Sequence, residues 1–193
     1  DYVNPFIGTG GHGHTYPGAS SPFGMVQLSP DTRLEGWDGC GGYHYSDNKI
    51  YGFSHTHLSG TGVSDYGDVL LMPTTGELLL TNGEDGKDGY KSTFSHYHET
   101  ARAGYYSVHL QNYNIDAELT VSKRSGFHKY TFQSNKETQL ILDLEHRDRL
   151  TSSSIEIVNK NSIQGWRHSN NWAEDQRLYF YIQLSENISE VVY

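Results

Sequence analysis

Three histidine pairs, His12-Gly13-His14, His55-Thr56-His57 and His96-Tyr97-His98, each place two imidazoles on one side of a strand or loop. That spacing is one that first-row metal sites use. A cupin-type oxygenase needs a glutamate a few residues beyond such a pair; His57 has none there, and Glu99 follows His98 too closely. The pairs therefore read better as hydrogen-bonding groups at a ligand or domain surface. Asp31, Glu35, Asp38, Asp65 and Asp68 share the first 68 residues with two of these pairs and have the chemistry of a general acid and base acting across a sugar. Asp31 in Ser29-Pro30-Asp31-Thr32 and Asp38 in Trp37-Asp38-Gly39 also have the form of turn caps, the better reading for each on its own. Ser54 precedes His55, but neighbours on a strand face opposite ways, which argues against a Ser-His dyad. Cys40, set between glycines, is either a small hydrophobe facing a ligand or a packing residue.

The stretch from Asp1 to Asp68 that must position these groups is dense in glycine, which lets the backbone take positive φ and lets a ligand or neighbouring domain approach the main chain. Composition narrows the partners. The 193-residue chain fits one domain, 1–193, or most of one. Its net charge of -9 excludes the basic stripe that nucleic acid requires, so no nucleic-acid partner is expected. No apolar run approaches the roughly 20 residues of a membrane span. A single cysteine rules out an internal disulfide. Fifteen tyrosines and three tryptophans favour strands and flat polar ligands. With Asp1 in place of an initiator Met or signal peptide, the chain is expected to be a processed or trimmed product.

Periodicity predicts an all-β protein. Val69–Pro73 and Gly76–Leu80 read as buried strands, followed by a turn cluster at Asn82-Gly83-Glu84-Asp85-Gly86. Tyr105–Leu110, Ile115–Val121 and Gly126–Phe132 alternate with period two, separated by loop residues such as Asn112 and Asn114. Gln139–Leu144, Ser154–Val158, Ser162–Trp166 and Leu178–Leu184 continue the series, and Asp143–Arg149 reads as a charged, solvated or salt-bridged loop. Short strands at this spacing indicate an antiparallel β-sandwich. Because the chain stops just after a strand, the sandwich is expected to lack its last strands.

Asn4–Thr9, Pro22–Thr32, Gly42-Tyr43-His44-Tyr45 and Gly52–Gly62 closely resemble the amino-terminal domain of glycoside hydrolase family 92, bacterial exo-acting α-mannosidases. The likeness is densest from Tyr2 to Pro73. It implies a galactose-mutarotase-like supersandwich packed on a carboxy-terminal (α/α)6 barrel, in a calcium-dependent enzyme that removes terminal α-linked mannose with inversion. It further implies that the catalytic acid, the base and most of the calcium site belong to the helical domain, so no catalytic or metal-binding residue is assigned here and the chain alone is expected to be inactive. Its partners are then that barrel and α-mannosides, and its location periplasmic, cell-surface or secreted.

On the same resemblance the glycine-rich loops hold the terminal mannose. Phe23 and Gly24 are placed at a sugar edge, and Trp37, Asp38, Gly39 and Cys40 form an aromatic-plus-polar loop, with His55 and His57 as further candidates. Trp37 is otherwise a core tryptophan. Asp65 and Asp68 anchor the loop after Gly62. Some members that prefer α-1,2 linkages carry a tryptophan where this chain has Val63, which removes a stacking platform for the leaving sugar and speaks against that preference. A free-standing carbohydrate-binding module and a structural docking domain share the same outline.

Overall fold

The computed structural model describes residues 2–84 and 86–193; Asp1, and Asp85 of the expected turn cluster, lie outside the described residues. The chain forms two compact units, Asp1–Arg147 and Asp148–Tyr193. In the first, strands β1 (Ala19–Ser20), β2 (Gln27–Asp31), β3 (Lys49–Ile50), β4 (Gly52–Ser54), β5 (Leu70–Thr75), β6 (Ser92–Thr93), β7 (Glu99–Arg102), β8 (Tyr105–Leu110), β9 (Ile115–Val121), β10 (Gly126–Phe132) and β11 (Thr138–Asp143) build antiparallel sheets. One has the order β1-β2-β4-β5-β11, another β10-β9-β8-β7, and β3 pairs with β6.

Alternation decides which face is buried. Tyr106, Val108 and Leu110 of β8 pair with Leu119, Ala117 and Ile115 of β9, and all six are buried. They join Leu28, Phe53, Leu70 and Met72 of the five-stranded sheet in one core, each large apolar side chain contributing about 1.5–3 kcal/mol on burial. Tyr105, Ser107 and His109 fall on the opposite, polar face, as period two demands. The only helical element among the described residues is a single 3-10 turn, His96–His98. The second unit is an antiparallel meander of β12 (Arg149–Asn159), β13 (Ser162–Asn170) and β14 (Gln176–Gln183).

Two expectations are corrected. Gly76–Leu80 is not a strand: β5 ends at Thr75, Gly76 turns the chain at φ 87°, and Leu78 and Leu80 are exposed. Of the two readings of Asp143–Arg149 the solvated one fails and the salt-bridged one holds, since His146 and Arg147 are buried and lie 3.1 and 3.9 Å from the Asp31 carboxylate.

Candidate functional site

Three connections of the first unit gather against one another: residues 4–18 before β1, 32–48 after β2, and 55–69 after β4. The Tyr45 amide donates to the Thr9 carbonyl (2.8 Å) and the Gly60 amide to the His14 carbonyl (2.8 Å), which ties them together. At their surface lies Trp37, 64% exposed. Its ring stands edge-on to His14, with centroids 5.0 Å apart, and covers Gly62 so closely that a Cβ there would sit 2.0 Å from the indole. Beside it the Asp38 carboxylate lies 2.6 Å from His12 Nδ1 and 3.7 Å from His14 Nε2. The hydrogen bond from His12 holds the Asp38 carboxyl below its usual range. An exposed ring next to a charged carboxylate is suited to a ligand with one apolar face and a hydroxyl edge.

Gly62→Ala is expected to push the exposed indole aside at little cost in stability, because the ring can yield where backbone could not. A changed tryptophan fluorescence with a Tm shift of only a few degrees checks this; an unchanged indole environment would contradict it.

Beneath this surface lies a buried polar cluster. Asp31 is fully buried and accepts from the Ser54 hydroxyl. His57 directs Nε2 to the Asp31 carboxylate (2.9 Å) and Nδ1 to the Gln27 carbonyl (2.8 Å), so that both ring nitrogens face acceptors. His146 Nε2 lies 3.1 Å from the other Asp31 oxygen. Burial alone would raise the Asp31 pKa, but His57 and His146 overcome it and hold the carboxyl far below its usual range.

The glycosyl hydrolase family 92 N-terminal domain profile matches residues 2–193. The chain belongs to this family. A family GH92 alpha-mannosidase from Bacteroides thetaiotaomicron, solved in complex with mannoimidazole, superposes with a TM-score of 0.93 at 39% identity, over 98% of this chain and 25% of that one. A family GH92 inverting mannosidase from Bacteroides thetaiotaomicron VPI-5482 gives a TM-score of 0.73 at 31% identity, over 89% of this chain and 22% of that one. An uncharacterized secreted glycosidase of Arthroderma benhamiae is 33% identical over 140 residues, 69% of this chain and 17% of the relative. The chain thus spans about a quarter or less of these relatives.

The family 92 domain brings Trp37, Asp38, Gly39 and Cys40 into one loop, but only the first two present side chains outward. Trp37 is therefore not a core tryptophan. Gly39 lets the chain pass Glu35 and Arg33, where a Cβ would lie 2.7 Å from the Glu35 carbonyl. Cys40 is 1% exposed and takes the packing role: its thiol donates to the Thr61 carbonyl (2.6 Å), and burial pushes its pKa up. Phe23 is fully exposed at φ 57°, on a turn closed by the Gly24 amide donating to the Ser21 carbonyl (2.8 Å). Asp31 is not a simple turn cap, and His57 is buried away from the loop surface. Asp65 and Asp68 are buried within the connection after Gly62, where Asp68 accepts from the Thr56 hydroxyl (2.6 Å).

His96 and His98 do not converge. His96 lies 2.6 Å from Glu99, whose carboxylate also accepts from Tyr43 and Tyr106, while the His98 ring lies against His109. Among the described residues no group of three or more His, Cys, Asp or Glu could hold a metal ion. No helix of the described residues is long and apolar enough to cross a membrane.

His55 belongs to a separate relay. Its Nδ1 donates to the Val69 carbonyl (2.6 Å), leaving Nε2 to accept from His128 Nε2 (3.0 Å), while the Tyr130 hydroxyl donates to His128 Nδ1 (2.7 Å). Burial lowers the His55 pKa to about 4, with His57 adding to it and the Val69 carbonyl opposing; burial and then His55 lower that of His128. Both rings stay neutral in the fold below the pH at which an unfolded histidine, with pKa near 6.5, takes up a proton. Their contribution to stability is therefore complete above that value and lost as pH falls toward 4. The His55 imidazole resonance is expected to titrate near pH 4, with Tm falling across the same window; a midpoint near 6.5 would contradict the relay.

Proposed function

We propose that this chain is the amino-terminal domain of an inverting, calcium-dependent exo-α-mannosidase, and that its Trp37–Asp38 loop forms one wall of the pocket for terminal mannose. The observation that carries the reading is the exposed Trp37 ring, braced by His14 and Gly62 and flanked by the Asp38 carboxylate. A pyranose offers its C–H face to such a ring and its hydroxyls to such a carboxylate. The names of two solved relatives, an inverting mannosidase and an alpha-mannosidase bound to mannoimidazole, support the substrate and the stereochemistry.

In this reading a carboxy-terminal (α/α)6 barrel supplies acid, base and calcium. Inversion needs two carboxyls roughly 6.5–9.5 Å apart with water between them, and this domain is assigned neither. The calcium is assigned to the barrel in this reading, and no step of this domain passes through the ion. Its own contribution is to hold and orient the terminal sugar. The secreted relative supports a periplasmic, cell-surface or secreted location, where terminal α-mannose of N-glycans is a fitting substrate. Val63, in the loop after Gly62, offers the leaving sugar no ring, which favours linkages other than α-1,2.

The test is hydrolysis of α-linked mannobioses by the full-length protein, followed by NMR at early times. Appearance of β-mannose first is the expected result. First appearance of α-mannose would contradict inversion, and no release from any linkage would contradict the mannosidase reading.

A further inference from the structure

Arg147 is a long charged side chain with no exposed surface, held in the connection after β11. Its guanidinium reaches two of the loops that flank the Trp37 platform. Nε donates to the Leu34 carbonyl (3.3 Å), and one terminal nitrogen donates to the carbonyls of Gly39 (3.3 Å) and Cys40 (3.1 Å) and to the Ser64 hydroxyl. The stem fills the space over Gly67, where a Cβ would lie 2.7 Å from the arginine Cδ. The acceptors bracket Trp37 and Asp38 in sequence, Leu34 on one side and Gly39 and Cys40 on the other, while Ser64 and Gly67 belong to the connection that contains Gly62. A planar fork with five donors can span these acceptors; a lysine ammonium, a point charge on a flexible stem, cannot hold the same geometry.

We infer that Arg147 is a positioning residue for the saccharide platform: by fixing the backbone on both sides of Trp37 to the connection beneath its ring, it sets where the indole stands, and so tunes affinity for the terminal sugar. The inference rests on the reading of Trp37 as a wall of the sugar pocket. Arg147 is buried and its other terminal nitrogen lies 3.9 Å from the Asp31 carboxylate, so its loss also touches the buried cluster; a change in KM that depends on Trp37 is what separates positioning from a general loss of stability.

The experiment measures kcat and KM on an α-linked mannobiose, together with Tm, for the full-length protein and its Arg147→Lys, Trp37→Ala and combined variants. Arg147→Lys is expected to raise KM about 10-fold with kcat changed less than about twofold, the scale of losing hydrogen bonds from a charged donor. The combined variant is expected to bind no worse than Trp37→Ala alone, because the platform through which Arg147 acts is already gone. An unchanged KM in a folded Arg147→Lys protein, or losses that multiply in the combined variant, would overturn the inference while leaving the platform reading intact. A Trp37→Ala protein with unchanged KM would overturn both. If Arg147→Lys does not fold, Ser64→Ala, which removes one of the acceptors, decides: a KM raised about threefold, and not further raised on top of Trp37→Ala, supports the inference, and an unchanged KM overturns it.

Discussion

Trp37→Ala in the full-length protein is expected to lower kcat/KM for α-mannosides about 30-fold, mostly through KM. An aromatic anchor at the centre of a binding surface contributes about 2 kcal/mol on truncation, which corresponds to that factor. The same change should leave stability within about 1 kcal/mol, because the ring is 64% exposed and contributes little to the core. Trp37→Phe keeps a smaller platform and should recover part of the loss. Steady-state kinetics with thermal unfolding checks the pair of expectations; a Tm collapse with unchanged KM in the surviving protein would return Trp37 to a structural role.

Asp31→Asn carries the largest expected effect on stability. The native carboxylate is fully buried and faces His57, His146, Ser54 and, at 3.9 Å, the buried Arg147 guanidinium, so removing its charge leaves that guanidinium without its counter-charge and the two imidazoles without their carboxylate partner in the interior. Breaking a buried pair in this way costs about 3–5 kcal/mol, which for a domain of this size lowers Tm by roughly 6–20 °C. The pH dependence follows in sign. Since the fold holds the carboxyl below the value of an unfolded aspartate, near 3.9, the stabilisation is complete above about pH 4 and lost as pH falls further. The variant should therefore lose less additional stability than wild type on acidification below pH 4. Thermal unfolding across pH 2–7 measures both, and a variant as stable as wild type at pH 7 would show the cluster to be dispensable.

Much of the strand framework is written locally. Tyr105–Leu110 and Ile115–Val121 alternate without a fault, and Asn114 at φ 53° turns one into the other, so a hairpin is legible from the residues alone. The strands β1 to β4 are not, because each is two to five residues long inside glycine- and proline-rich sequence, and their pairing replaces any internal period. Gly76–Leu80 misleads in the opposite direction: an apolar run signals burial only when something covers it, and Gly76 turns this one away from its sheet.

The candidate site divides in the same manner. Trp37, Asp38 and their glycines are adjacent in sequence, and their chemistry announces a loop. Arg147 and His146 sit in a run of charges that composition reads as solvated or salt-bridged without naming a partner; their partners Leu34, Gly39, Cys40 and Asp31 lie more than 100 residues away. A buried arginine fork is specified by carbonyls that only the folded loops bring together, and Arg147, four residues beyond the end of β11, carries no local signal of that role. Asp31 reads as a turn cap for the same reason, since His57 is 26 residues away and its approach depends on the β2–β4 pairing.

The measurement that tests the division of labour most directly is mannose release from α-linked mannobioses by the 193-residue chain alone, in calcium, with and without the separately produced helical domain. No release by the chain alone, and release on adding the barrel, is the expected result. Steady release by the isolated chain, proportional to its concentration and abolished with it on immunodepletion, would contradict the account and return the search for acid and base to Asp31, Glu35, Asp38, Asp65 and Asp68.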